Sequence, residues 1–134
     1  MNEIKLNDKT VALFHKNNEW KKGLDFLTTN DAFIQTGTWW YDNGQVLKAH
    51  RHILNERNVN LTQETFIVLC GRLRVDLYDE SNNVFHKEIL TAGDLGIILS
   101  CGHGYVILED NTKVVEVKNG PFVSVEKDKE LIIT

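Results

Sequence analysis

The sequence predicts an all-β domain, built as an antiparallel sandwich or barrel. Short runs rich in Val, Ile, Leu, Phe and Tyr recur along the chain, and clusters of Gly, Asn and Asp separate them. No long stretch carries the apolar spacing of an amphipathic helix. Many short strands without intervening helical patterns pack as two antiparallel sheets or close into a barrel.

Ten runs are predicted as strands, and turn residues bound most of them. In chain order they are Val11–Phe14, Ala32–Tyr41, Val46–Ile53, Thr65–Cys70, Arg72–Tyr78, Val84–Leu90, Gly96–Leu99, Tyr105–Leu108, Lys113–Lys118 and Phe122–Val125. A short helical turn fits Glu19–Leu27, although Gly23 interrupts it. The last segment, Val123–Thr134, fits an edge strand or a dimer contact.

Composition bounds the partners of the chain. Its 134 residues form a single domain, and 42% hydrophobic with 25% charged residues is typical of a globular protein. The 15 Lys and Arg against 19 Asp and Glu give a net charge of −4. Nucleic acids and anionic membranes select basic surfaces, so neither is expected as a partner.

A cytoplasmic location is expected. No apolar run approaches the roughly 18 residues of a membrane span, and the first residues lack the apolar core of a signal peptide. Cys70 and Cys101 are therefore expected to be reduced, and they are better interpreted as small buried hydrophobes than as a disulfide.

His50 and His52 are the most informative pair in the chain, since only Arg51 separates them. Within the predicted strand Val46–Ile53, alternate side chains point to one face, so the two imidazoles lie one pleat repeat apart. Two neutral imidazoles that converge on one point are half of a transition-metal site. The alternative is two surface histidines on an edge strand.

Glu64 is the candidate for the carboxylate of such a site. It shares a strand face with Phe66 and Val68, which indicates that it points inward. An inward carboxylate costs several kcal/mol unless it is paired or bound to a metal. A metal held by the two histidines would satisfy it.

The spacing of these residues resembles the first motif of the cupin superfamily. That motif is a Gly, five residues, His-x-His, a carboxylate, six residues and a second Gly. Here Gly44 precedes His50 by five intervening residues, and six residues separate Glu64 from Gly71.

The gap between His52 and Glu64 departs from the family pattern. It holds 11 residues, whereas the family usually has three or four. Glu56 meets the short spacing, but no Gly follows it at the right distance. A longer hairpin loop at Asn55–Leu61 accounts for the gap, and Glu64 is preferred to Glu56 as the ligand.

The family's second motif is Gly-Asp, an apolar strand, a Pro-x-Gly turn and a His three residues later. Gly93-Asp94 opens the matching strand, and Ser100-Cys101-Gly102 replaces the Pro turn. The motif's His position falls on Tyr105. His103 comes two residues earlier, between glycines that permit unusual backbone dihedrals. The resemblance thus implies His103 as a third imidazole ligand; a loop histidine is the alternative.

The resemblance covers roughly residues 33–122. The chain is also similar to small single-domain cupins of bacterial surface-polysaccharide biosynthesis, notably at Trp39-Trp40-Tyr41, Gln63-Glu64, Gly102-His103-Gly104 and Val117–Phe122. The cupin resemblance implies a double-stranded β-helix (jelly roll), with a core barrel at about residues 32–122. It also implies one divalent ion, either Fe, Mn, Ni, Co or Zn, held by His50, His52, Glu64 and His103.

If the barrel forms, its cavity is predicted to be lined by Gln35, Trp39, Lys48, Phe66 and Tyr105. Aromatic faces with a few polar groups suit sugar rings, although core packing explains each residue equally well. Glu116 lies mid-strand and is the one further acid that could project into the barrel.

The expected function is metal-dependent isomerisation or epimerisation of a sugar or nucleotide sugar, with Tyr105 or a metal-bound hydroxide moving the proton. The alternatives are a non-catalytic sugar-binding or regulatory cupin, and an iron-dependent dioxygenase. Small cupins often form homodimers through an edge strand, so Val11–Phe14 and Val123–Thr134 are the expected exchange elements.

Overall fold

Antiparallel strands dominate the structure, a computed structural model that describes residues 1–133. The strands are β1 (Asn2–Leu6), β2 (Lys9–His15), β3 (Gly23–Phe26), β4 (Gly37–Trp40), β5 (Glu64–Cys70), β6 (Arg72–Tyr78), β7 (Val84–Thr91), β8 (Leu95–Ile98), β9 (Gly102–Ile107) and β10 (Lys113–Lys118). A 3-10 turn at Asn17–Glu19 and the short helix α1 (Val125–Asp128) accompany them. The chain is therefore all-β, as the sequence predicts.

The strands form three sheets. The five-stranded sheet has the order β1-β2-β8-β5-β10, and the three-stranded sheet has the order β7-β6-β9. A two-stranded ribbon pairs β3 with β4. All pairs are antiparallel, and within residues 1–133 no sheet closes into a barrel.

The main core lies between the five-stranded and the three-stranded sheets. On β6, Leu73, Val75 and Leu77 alternate inward and are essentially inaccessible to solvent. They meet Phe14 and Phe66 from the five-stranded sheet. Burying a side chain of this size contributes about 1.5–3 kcal/mol, so this cluster holds the two sheets face to face.

A second apolar cluster covers the outer face of the five-stranded sheet. Leu13, Leu95 and Ile97 are buried there against Leu27 and the partly buried Ile34. The segment that carries these last two residues leads into β4, so this cluster anchors the ribbon's connection to the sheet.

The structure agrees with the predicted strands from β5 to β10. The bounds of β6 and β10 match the prediction, and those of the other four differ by at most three residues at either end. β1 is additional: it pairs with β2 through a tight turn in which Asn7 and Asp8 have positive φ. Asn and Asp tolerate this conformation, which is the one that two-residue hairpins require.

Four segments differ from prediction. The predicted strand Val46–Ile53 is irregular: its terminal side chains are 79% and 83% exposed, and within the described residues no neighbouring strand binds its backbone. The run Ala32–Tyr41 shortens to β4. The predicted helical turn at Glu19–Leu27 contains β3 instead, because Gly23 takes a positive φ that ends helical propagation.

The fourth difference is at the C-terminus. Phe122–Val125 forms no strand; Ser124 caps α1 by accepting a hydrogen bond from the backbone N–H of Lys127. Of the predicted edge segment Val123–Thr134, the final Thr134 lies outside the described residues.

The expectation that Val11–Phe14 is an exchangeable edge strand is wrong. These residues belong to β2, which pairs with β1 on one side and β8 on the other. Both backbone edges are therefore already occupied.

No helix within residues 1–133 has the length and apolar character needed to cross a membrane.

Candidate functional site

Glu64, His103 and Tyr105 form a polar cluster between the two large sheets, in which Glu64 is buried, His103 is partly buried and Tyr105 is exposed. Glu64 is the first residue of β5 and lies on the face that carries Phe66. His103 and Tyr105 alternate along β9, where they lie opposite Leu77 and Val75 of β6. Because those two residues face the core, the imidazole and the phenol face it as well.

The three side chains meet at one carboxylate oxygen. His103 Nε2 lies 2.9 Å from Glu64 Oε1, and the Tyr105 hydroxyl donates a hydrogen bond to the same oxygen. His103 Nδ1 lies 3.1 Å from the carbonyl oxygen of Cys101. Both ring nitrogens thus face acceptors, so the doubly protonated imidazolium is the form that satisfies them.

The electrostatics agree with an ion pair. Burial raises the pKa of Glu64, but hydrogen bonds from His103 and Tyr105 outweigh it and leave the pKa below the usual value of 4.5. Burial lowers the pKa of His103, but the hydrogen bond and charge of Glu64 outweigh it and leave the pKa above 6.5. The pH range in which a carboxylate lies beside an imidazolium is therefore wider for this pair than for the two isolated side chains.

Tyr105 stays protonated in this environment. Burial, followed by its hydrogen bond to Glu64 and the charge of that carboxylate, strongly raises the pKa of the phenol. The hydroxyl can therefore donate a hydrogen bond or pass on a proton that it regains, but it does not act as a phenolate base.

Phe66 fixes the position of Tyr105. The two rings pack edge to face with centroids 5.1 Å apart. On its other side Phe66 covers Gly96, where an added Cβ would come within 2.3 Å of the ring. Phe66, which the sequence predicts as a substrate-binding residue, is buried and packs against the ring of Tyr105.

The cluster opens to solvent beside β10. In the β5–β10 register, Lys118 lies opposite Glu64 and Glu116 lies opposite Phe66. Tyr105 is 38% exposed, and Glu116 is also exposed. A small polar molecule could therefore reach the phenol from this side, whereas Glu64, at 7% exposure, lies behind it.

The other two predicted metal ligands lie apart from this cluster. His50 and His52 are exposed on the irregular segment, with ring centroids 5.2 Å apart, and His50 Nδ1 is 3.2 Å from the carbonyl oxygen of Lys48. Within residues 1–133, no three His, Cys, Asp or Glu side chains form a group that could hold a metal. The predicted ligands come together as two pairs, and this conformation does not fit one metal ion.

The remaining predicted residues are exposed. Gln35 donates hydrogen bonds to the carbonyls of Thr29 and Ala32 and thereby stabilises its own loop. Trp39 projects from the ribbon and is 61% exposed. Lys48 lies on the irregular segment, and the alternative ligand Glu56 lies in the exposed stretch that follows it.

Two further charged side chains, Glu116 and Lys118, lie near the cluster. Val114, Glu116 and Lys118 are spaced two residues apart on β10 and so share one face of the strand. This spacing is the sequence pattern that could have placed the two charged residues on the inner face. Their proximity to Glu64 depends on the β5–β10 register, which shifts between Lys113 and Val114. Lys118 Nζ lies 3.2 Å from Asp128 Oδ2, so its charge is already paired.

Two further features supply no chemistry here. Burial raises the pKa of the Cys101 thiol to about 11, so it remains protonated at neutral pH. A cleft of about 550 Å³ lies on the opposite side of the five-stranded sheet, lined by Leu13, Leu27 and Leu99 among others. None of the three cluster residues lines it.

Comparison with known proteins found no match among family models, curated proteins or solved structures.

Proposed function

We propose that this protein is an enzyme that isomerises or epimerises a small carbohydrate by moving a proton next to a carbonyl group. The observation that carries the proposal is the Glu64–His103–Tyr105 cluster, in which a neutral phenol reaches solvent in front of a buried ion pair. Perturbed pKa values at a partly open site are typical of acid–base catalysis.

In this reaction Tyr105 acts on the oxygen atoms of the substrate. When a sugar enters, the hydroxyl turns from Glu64 to the carbonyl oxygen and donates a hydrogen bond. Negative charge grows on that oxygen as the neighbouring C–H bond breaks, and the charge of the nearby imidazolium of His103 stabilises it. Glu64 holds His103 and Tyr105 in place and keeps the imidazole protonated.

The same cluster supports a sugar over an apolar ligand. Hydroxyl groups need partners when they leave water, and this opening offers a phenol together with the side chains of Glu116 and Lys118. The substrate class proposed is thus a free or nucleotide-linked sugar that carries a carbonyl.

For the fold we propose a jelly roll, as the cupin resemblance implies. Two facing antiparallel sheets around one core support it. We also propose a bound divalent ion, because the cupin resemblance implies one. No catalytic step is assigned to this ion, because its four predicted ligands are separated into two pairs.

We also propose a homodimer. Leu24, Phe26 and Trp39 share one face of the ribbon, and each is at least half exposed. A two-stranded ribbon is marginal in water unless something packs on it. Light scattering should give twice the chain mass for the wild type and the monomer mass for Trp39→Ser. A monomeric wild type at all concentrations would contradict this proposal.

Solvent-deuterium exchange tests the enzyme proposal without knowledge of the product. The protein is incubated in D₂O with D-glucose, D-fructose, D-xylose, D-xylulose and a nucleotide sugar that has a ring ketone. Proton NMR then follows the hydrogen on the carbon next to the carbonyl.

We expect protein-dependent loss of that signal with at least one sugar. Saturable binding without exchange would instead identify a non-catalytic sugar-binding protein.

A further inference from the structure

We propose that Glu116 is the catalytic base, the group that takes the proton from the carbon next to the substrate carbonyl. This inference rests on the proposed function, since a base is needed only if such a proton moves. It assigns the acid–base partner that the Glu64–His103–Tyr105 cluster itself does not provide.

The strand register places Glu116 on the inner face of β10. It lies directly opposite Phe66 of β5, and directly opposed residues on one face have Cβ atoms about 4.5–5.5 Å apart. The ring of Phe66 packs in turn against Tyr105. Glu116 therefore lies across the opening from the phenol that would hold the carbonyl.

The other three polar groups are unsuited to be the base. Glu64 is 7% exposed, and one of its oxygens already accepts hydrogen bonds from both His103 and Tyr105, so it is not open to a C–H bond. His103 has acceptors at both ring nitrogens, and the Tyr105 hydroxyl is the donor to the substrate carbonyl in the proposed function.

Glu116 combines accessibility with a free carboxylate. Its side chain is exposed, and within residues 1–133 it takes part in no ion pair or side-chain hydrogen bond. The neighbouring cation, Lys118, is paired with Asp128. Lone pairs of Glu116 therefore remain available to an incoming C–H bond.

The step balances without a further reactant. The C–H bond breaks and its proton passes to the carboxylate of Glu116, while the electron pair forms the C=C bond of an enediolate and moves the carbonyl π electrons onto oxygen. Tyr105 passes a proton between the two substrate oxygens. Glu116 then returns its proton to the neighbouring carbon on the same face, which gives the isomer. The epimer forms when the enediolate first turns its other face toward Glu116 and the proton returns to the carbon that it left.

Removing the carboxylate tests this assignment in the exchange assay, with the sugar that exchanges fastest with the wild type. Glu116→Gln should slow exchange about 10²–10⁴-fold, which is the usual contribution of a general base. Glu109→Gln is the matched control, since Glu109 is an exposed carboxylate in the loop between β9 and β10. It should leave the rate unchanged.

A second variant separates a base from a structural role. Glu116→Ala should be inactive in plain buffer and regain exchange when sodium formate is added, because formate supplies a carboxylate that a misfolded protein could not use. Wild-type exchange with an equal rate in Glu116→Gln would overturn the base assignment and leave the proposed function standing. Absence of exchange by the wild type with every sugar would overturn both.

Discussion

Tyr105 and Glu64 come from different sheets, β9 and β5, yet the Tyr105 hydroxyl donates its hydrogen bond to the carboxylate of Glu64. The same oxygen accepts from His103, so one buried carboxylate joins the two sheets at the open side of the core. The positions of the phenol and of the adjacent ion pair are therefore fixed by strand pairing and not by a loop.

Replacing Tyr105 with Phe removes the hydroxyl and keeps the ring that packs on Phe66. We expect solvent-deuterium exchange to fall about 10²-fold or more, since one acid–base group is lost. Substrate binding, measured by calorimetry, should change far less. Tyr41→Phe is the control, because Tyr41 is an exposed residue that directly follows β4 and is not part of the cluster. Equal exchange rates in wild type and Tyr105→Phe would remove Tyr105 from the mechanism.

The ion pair should make stability depend on pH. Because the pKa of His103 is raised above 6.5, its contribution is complete below that pH and is lost as the pH rises through the raised value. Because the pKa of Glu64 is lowered below 4.5, its contribution is complete above that pH and is lost as the pH falls through the lowered value. The pair therefore stabilises most between these two limits.

Urea unfolding of wild type and His103→Gln measures this effect. The variant should lose most stability near pH 5.5 and less near pH 9, by about 1.4 kcal/mol for each unit by which the pKa of His103 is raised. His52→Gln, measured in chelator-treated protein, is the control because His52 is exposed. A loss in His103→Gln that is the same at both pH values would contradict the ion pair.

The predicted metal site makes a separate prediction. If His50, His52, Glu64 and His103 share one ion, protein purified without chelator or nickel resin should contain about one divalent metal per chain. Elemental analysis of His50→Ala and Glu64→Ala should then show little metal, while His86→Ala keeps the wild-type content. Equal metal in all four proteins would end the metal prediction.

Metal addition should also change the irregular segment. The two histidine rings are exposed there and do not approach Glu64, so shared ligation requires residues 46–53 to move inward. We expect slower backbone hydrogen exchange across 46–53 when zinc is added to metal-free wild type, and no slowing in His50→Ala. Unchanged exchange in both would show that zinc does not reorganise this segment.

The strands around the core were predictable because their sequence period is strong. On β6, Leu73, Val75 and Leu77 alternate with polar residues, and a turn follows Tyr78, so the bounds match the prediction. The predicted strand at 46–53 has the same period in Val46, Lys48, His50 and His52, but its common face holds one apolar residue. A segment in which alternate residues share a face but are mostly polar has little apolar surface to bury, so it gains little by joining a sheet.

The register between paired strands could not be predicted from the sequence. The inward direction of Glu64 followed from its neighbours on β5, but its hydrogen bonds to His103 and Tyr105 required β9 to lie across the core. The position of Glu116 required, in addition, the register shift between Lys113 and Val114. A one-residue change of register would move Glu116 to the other face of the sheet.

Packing beneath the cluster gives the last prediction. Gly96 leaves room for the Phe66 ring, and a Cβ at this position would lie 2.3 Å from the ring's Cζ and 3.0 Å from the Phe14 ring. Gly96→Ala should therefore lower the free energy of unfolding by about 1–3 kcal/mol, the usual cost of overpacking. It should also slow deuterium exchange, because Phe66 displaced by the methyl group shifts Tyr105.

A double-mutant cycle with Phe66→Leu tests that route. The smaller side chain relieves the clash, so Gly96→Ala should cost less in the Phe66→Leu background, with a coupling of about 0.5–3 kcal/mol in urea unfolding. Strictly additive losses would mean that Gly96 and Phe66 act independently. The support of Tyr105 would then have to come from its hydrogen bond to Glu64 alone.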